Sequence, residues 1–200
     1  MTRNTYSIRS ALLCFCFLAL FLNQCSDKSE KQIDHQGLVG AWYHDDDLTR
    51  IGTSWKLDSL DKVWDAVSGR GNAWSAQWEG FILAPATDKV TFCAESNKEY
   101  LIEIDGELIV HVDDQAERSC GTVEMVQDKK YPIRVKYLQH SGGEAYFKTL
   151  WSWGDEEAKA VPAQALSFND RQAEWWHYTV KPDPETFDFS ELNTIPVDNY

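Results

Sequence analysis

TFCAESNKEYLIEIDG, residues 91–106, holds two runs of alternating character joined by a short polar loop, and it closes on Asp105-Gly106. In the second run Tyr100, Ile102 and Ile104 alternate with Leu101 and Glu103. That is the period of two in which successive side chains of a strand face opposite ways. Asp-Gly between two such runs is hairpin chemistry, because a two-residue turn needs residues that tolerate positive φ. Leu108, Val110 and Val112 resume the alternation beyond it. The loop between the runs, Ser96, Asn97, Lys98 and Glu99, is a candidate binding loop.

The same period extends in both directions. Trp74, Ala76 and Trp78 alternate with Ser75 and Gln77; Tyr131, Ile133, Val135 and Tyr137 alternate with Pro132, Arg134 and Lys136. A proline in such a run assigns it to an edge or a strand start. Residues 37–43, GLVGAWY, form the first strand candidate, and residues 122–126 and 145–153 give further ones. Residues 48–72 read as an irregular connection, in which Leu57, Leu60, Val63 and Trp64 have the spacing of one short helix. Many short strands without a βαβ rhythm predict an all-β fold, an antiparallel β-sandwich or barrel.

The chain has 200 residues, enough for one domain with a sizeable core. Its formal net charge of -13 excludes nucleic acid held through phosphate contacts. Residues 1–24 are set apart as a signal peptide: Arg3 and Arg9 precede an apolar run at 11–22, too short to span a bilayer and suited to a signal h-region. Asn23-Gln24-Cys25 then resembles a bacterial lipoprotein signal, with Cys25 as the lipidation site. The departure is that small residues usually precede that cysteine, so an uncleaved anchor or atypical cleavage stands as the alternative. Residues 25–36 read as a polar tether, residues 37–168 as the domain and residues 169–200 as an acidic, aromatic extension.

Cys14 and Cys16 fall in the signal, which leaves Cys93 and Cys120 in the folded part. An exported pair favours a disulfide. Strand parity agrees, since Val90, Phe92 and Ala94 face in when Cys93 faces out, and Val123 and Met125 face in when Cys120 faces out.

Seven short motifs occur in order: Gly37-Leu38-x-Gly40-x-Trp42-Tyr43; Trp78-x-Gly80-x-Ile82-x-Ala84-Pro85; Val90-Thr91-Phe92; Ile104-Asp105-Gly106-Glu107-Leu108; Tyr131-Pro132-Ile133-Arg134-Val135-Lys136-Tyr137; Leu150-Trp151-x-Trp153; and Val161-Pro162-Ala163-x-Ala165-Leu166. Together they resemble the protective-antigen (PA-fourteen) domain family. The resemblance implies a β-sandwich exposed at a cell surface, often a carbohydrate-binding module and in other members a structural or protein-contact domain. In sugar-binding members it also implies a Ser-Asp-Asp-Gly loop whose acid pair holds Ca²⁺, which in turn takes sugar hydroxyls. Here that loop reads Ser96, Asn97, Lys98 and Glu99. An ammonium repels a cation and accepts no bond, so no metal and no other cofactor is expected at this loop.

Asp113 and Asp114 lie on the loop that follows the hairpin and remain weak metal or ligand candidates; Asp45, Asp46 and Asp47 form another acidic cluster. Nucleophile, zinc and phosphate-loop motifs are missing, and His35, His44, His111, His140 and His177 read as isolated, so no enzyme is expected. The extension carries seven acidic and two basic residues with Trp175, Trp176, Phe187 and Phe189. Its aromatics either pack back on the sandwich or form a contact platform. The expected function is thus a lipid-anchored, non-catalytic module of the bacterial cell envelope. Its partner is a glycan, or an envelope protein if it serves as a scaffold with a degenerate sugar site.

Overall fold

The computed structural model describes residues 34–64, 73–113 and 116–179. Along the chain run β1 (Asp34–Gln36), β2 (Leu38–Tyr43), β3 (Ile51–Leu57), β4 (Asp61–Trp64), β5 (Trp74–Leu83), β6 (Asp88–Ser96), β7 (Glu99–Ile104), β8 (Glu107–Val112), β9 (Arg118–Met125), β10 (Lys130–Gln139), β11 (Ala145–Ser152), β12 (Lys159–Ala160), β13 (Leu166–Asn169) and helix α1 (Asp170–Thr179). Two antiparallel sheets result. The larger has the order β1-β13-β5-β10-β7-β8, with β2 between β5 and β3. The smaller has the order β12-β11-β6-β9, with β4 also on β11. The all-β sandwich expected from the sequence is what forms.

β10 is the spine of the larger sheet. It pairs β5 from Lys130↔Leu83 to Gln139↔Trp74, and β7 from Ile133↔Ile104 to Leu138↔Glu99. Of the two places expected for Pro132, an edge or a strand start, the second holds: it is the third residue of β10, which is a central strand. Pro132 lies one residue outside the β7 ladder, and its carbonyl accepts the Asp105 N–H across the hairpin turn (2.9 Å). Its missing donor faces the same way as that carbonyl, so no ladder bond is lost. The turn itself uses the chemistry read from the sequence, with φ of 53° at Asp105 and 83° at Gly106.

Between the sheets the alternating faces meet as an aromatic core. Trp78, Tyr100, Tyr137, Phe92 and Phe147 are its largest fully buried side chains. The Trp55 and Trp78 rings meet edge to face at 5.0 Å, and Tyr100 stacks on Phe147 at 4.5 Å. The Tyr100 hydroxyl shares a 3.0 Å bond with Thr149, so the buried phenol is not orphaned. Burial nonetheless pushes both the Tyr100 and Tyr137 phenols well above their ordinary value. At the seam between β8 and β9 the backbones come so close that a Cβ on Gly121 would lie 1.8 Å from the Ile109 carbonyl oxygen.

Three boundaries differ from the sequence reading. Residues 51–64 contain no helix: Leu57 ends β3, Leu60 is buried at the corner, and Trp64 ends β4. The helical spacing is that of a chain crossing between sheets, pinned where Thr149 N donates to the Leu60 carbonyl (2.8 Å). The tether loses residues 34–36 to β1, whose His35 registers with Phe168 of β13. The extension begins with α1, which is capped reciprocally: Gln172 N donates to Asn169 Oδ1 and Asn169 N to Gln172 Oε1. Trp176 of α1 is buried with Val39, Ala41, Tyr43 and Phe168 in a small second core, so this one aromatic packs back, while Phe187 and Phe189 lie outside the described residues. Trp175 beside it is 64% exposed.

The disulfide forms as parity implies. Cys93 and Cys120 are register partners on β6 and β9, and their sulfurs are bonded. The two lie 27 positions apart in sequence, and the segment between them leaves the smaller sheet, builds the β7–β8 hairpin of the larger one and returns. One covalent bond thus closes an excursion through both layers.

Candidate functional site

Register places the candidate loop at one end of the sandwich. Glu99 opens β7 opposite Leu138 of β10, while the Asp105-Gly106 turn lies at the other end of the same strand. At the Glu99 end lie residues 44–50, 97–98 and 140–144, together with Asp113 just past β8. Asp114 and the lipidation candidate Cys25 lie outside the described residues.

Asn97 is the centre of this end. Its Oδ1 accepts from Tyr146 N (2.9 Å) and the Tyr137 hydroxyl (3.4 Å), and its Nδ2 donates to the Glu144 carbonyl (2.8 Å). Ser96 Oγ donates to the Tyr146 carbonyl (3.0 Å) and accepts from Lys98 N (3.2 Å). Lys98 Nζ reaches Ser141 Oγ at 2.9 Å. The loop and residues 141–146 are one hydrogen-bonded unit.

These donors do not fit the Ca²⁺ that the family pattern implies. The Asn97 oxygen already accepts two protein bonds, and the neighbouring Lys98 brings positive charge where a hard cation needs carboxylate oxygens. Among the described residues no group of three or more His, Cys, Asp or Glu side chains is set to hold a metal. Asp113 is spent on its own turn, accepting from Ala116 N through Oδ1 (2.9 Å).

His111 and His140 are not isolated, contrary to the sequence reading, while the side chain of His177 lies outside the described residues. His140 Nδ1 lies 2.9 Å from Asp46 Oδ2, and its Nε2 lies 2.9 Å from Glu99 Oε2. His111 Nε2 lies 3.0 Å from the other Glu99 oxygen. Asp46, His140, Glu99 and His111 therefore form a continuous polar chain across β7, β8 and two loops. The hydrogen bond from His140 holds the Asp46 carboxyl below the usual carboxylate range. In the same loop as Asp46, burial raises Asp45, but bonds from Thr49 and Arg50 outweigh it and leave its carboxyl lowered. Sequence spacing could not reveal this chain, because its members are 41 and 94 residues apart.

A concavity of about 290 Å³ lies elsewhere, on the outer face of the larger sheet, beside Asp105, Arg134 and Gln172. Arg134 bonds Glu79 (2.8 Å) and Glu103 (3.0 Å) there, and Lys136 bonds Glu103 (2.8 Å). This cross-strand ladder pairs its own charges, two acids with two bases.

A family model described as PA14 domain matches residues 34–167. No curated protein matches the chain. Among solved structures, an anti-sigma factor domain-containing protein from Clostridium clariflavum is 24% identical, with a TM-score of 0.60 over 66% of this chain and 47% of that one. The chain thus spans about half the length of that protein. The A domain of epithelial adhesin 6 from Candida glabrata, solved in complex with Galb1-3GlcNAc, is 10% identical, with a TM-score of 0.54 over 68% of this chain and 88% of that one. A PA14 sugar-binding domain from an RTX adhesin is 12% identical, with a TM-score of 0.55 over 66% of this chain and 98% of that one.

Proposed function

The chain belongs to the PA14 domain family, and on that premise we propose that it is a non-catalytic carbohydrate-binding module of the bacterial cell envelope, anchored by a lipid on Cys25. Its binding face is the sandwich end built from residues 44–50, 97–98 and 140–144. The observation that carries this reading is the place of the loop with Ser96, Asn97, Lys98 and Glu99: it joins β6 to β7 among polar groups from separate segments. Sugar recognition by adhesin relatives of the same fold supports it.

Recognition here proceeds without Ca²⁺, because Asn97 and Lys98 stand where the family pattern has its acid pair. Hydroxyl ligands would meet Lys98, Ser141, Glu99 and the two histidines directly. A glycan array with the lipid-free mature chain, run in Ca²⁺ and in EDTA, tests this. Equal binding in both is expected; binding lost in EDTA overturns the metal-free mechanism, and no binding in either overturns the glycan reading. Cys25→Ala should move the protein from the membrane fraction to the soluble one, and retention at unchanged mass would refute the anchor.

A protein-contact scaffold is the second reading. It is favoured by Asn97, whose polar groups are spent on the protein itself, and by Trp175, which is 64% exposed on α1. Pull-downs with Trp175→Ala separate the two readings: partners lost with glycan binding intact support the scaffold.

A further inference from the structure

Three segments distant in sequence meet at the His140 ring. Asp46 comes from the loop between β2 and β3, Glu99 from the start of β7, and His140 from the loop between β10 and β11. Each ring nitrogen has a carboxylate oxygen at 2.9 Å. An ionised carboxylate only accepts hydrogen bonds, and a neutral imidazole carries one N–H. Both contacts exist together only when the ring is the imidazolium cation. We propose that His140 is a proton-operated clasp, which ties the two loops to β7 in mildly acidic conditions and releases them as the ring loses its proton.

The surroundings set the limits of this window. His111 of β8 shares Glu99, and Lys98 lies on Ser141 next to His140. Asp45 and Asp47 flank Asp46, and Glu144 and Asp113 belong to the same end. On the acid side the Asp46 arm persists until that carboxyl protonates, which its bond from His140 delays to below the usual carboxylate range. On the alkaline side deprotonation leaves a lone pair of the ring facing one carboxylate oxygen, so that contact turns from bond to repulsion. The contribution is therefore full at low-to-mid pH and is lost as pH rises through the His140 titration. The side chains are about a third exposed, so water screens the pair and the effect is graded rather than all-or-none.

Opening frees carboxylate oxygens of Asp46 and Glu99 for ligand hydroxyls. This last step rests on the glycan reading above; the clasp itself does not. The test uses the whole mature chain without ligand. Nitrogen-15 NMR of His140 should show the imidazolium pattern at both ring nitrogens at mildly acidic pH. Amide exchange at residues 45–50 and 140–144, corrected for intrinsic rates, should be about two- to fivefold faster above the titration than below it. His140→Gln keeps an amide in place but cannot titrate, and should flatten that profile; His111→Gln should leave it in place. A neutral single tautomer at His140 throughout, or an unchanged profile in His140→Gln, would overturn the clasp. If the clasp titrates but no glycan binds at any pH, the binding reading fails and the clasp stands.

Discussion

Trp78 and Asn97 hold this domain together by opposite means. Trp78 sits between the sheets, touched by Trp55 and Phe147, and every contact there is shape and apolar area. Asn97 sits at the loop end, and each of its contacts is a single directed hydrogen bond to another segment. Interior packing is redundant in kind but unforgiving in volume. The loop end is exposed and tolerant of volume, yet it depends on particular atoms. Binding surfaces are drawn from the second kind, because a surface that can rearrange must be held by contacts that can be exchanged.

The comparison breaks most visibly if the interior is opened. Trp78→Ala removes an indole from a core that cannot collapse around the void, and should lower stability by about 3–5 kcal/mol, read by chemical denaturation. A loss below about 1 kcal/mol would mean that the interior is as adaptable as the loops. The disulfide comes next. Replacing Cys93 and Cys120 with Ala releases an excursion that spans 27 positions of sequence and should cost about 3–4 kcal/mol, while amide protection of residues 141–146 relative to the rest stays as it was. Selective loss at the loop end would show that the bond serves the site rather than the layers. The smallest effect is at Asn97. Asn97→Ala strands Tyr146 N and the Glu144 carbonyl, and should cost about 1–3 kcal/mol. Its signature is local, faster exchange at Tyr146 with an intact β5–β10 ladder. Global unfolding in that variant would erase the distinction between the two regions.

Local rules made much of the sandwich legible. Asp105-Gly106 announces its turn because the φ values it needs are a property of two adjacent residues. Parity predicted the Cys93–Cys120 pair because outwardness follows from a neighbour's identity, and the structure makes them register partners. The corner at Leu57 and Leu60 failed for the same reason: spacing cannot distinguish one face of a helix from a strand that crosses between layers. The N-terminal cap of α1 was written in Asn169 and Gln172 but lay where composition pointed to a tail.

By itself the sequence determined the two-residue period, the turn and the outward cysteines, since each depends on neighbours within a few positions. Only the tertiary structure decided that Asp46, Glu99, His111 and His140 form one chain, and that Trp176 rather than Trp175 is buried. Those outcomes depend on the register of strands tens of residues apart and on which face of the sheet a helix covers. No short stretch of residues carries either quantity.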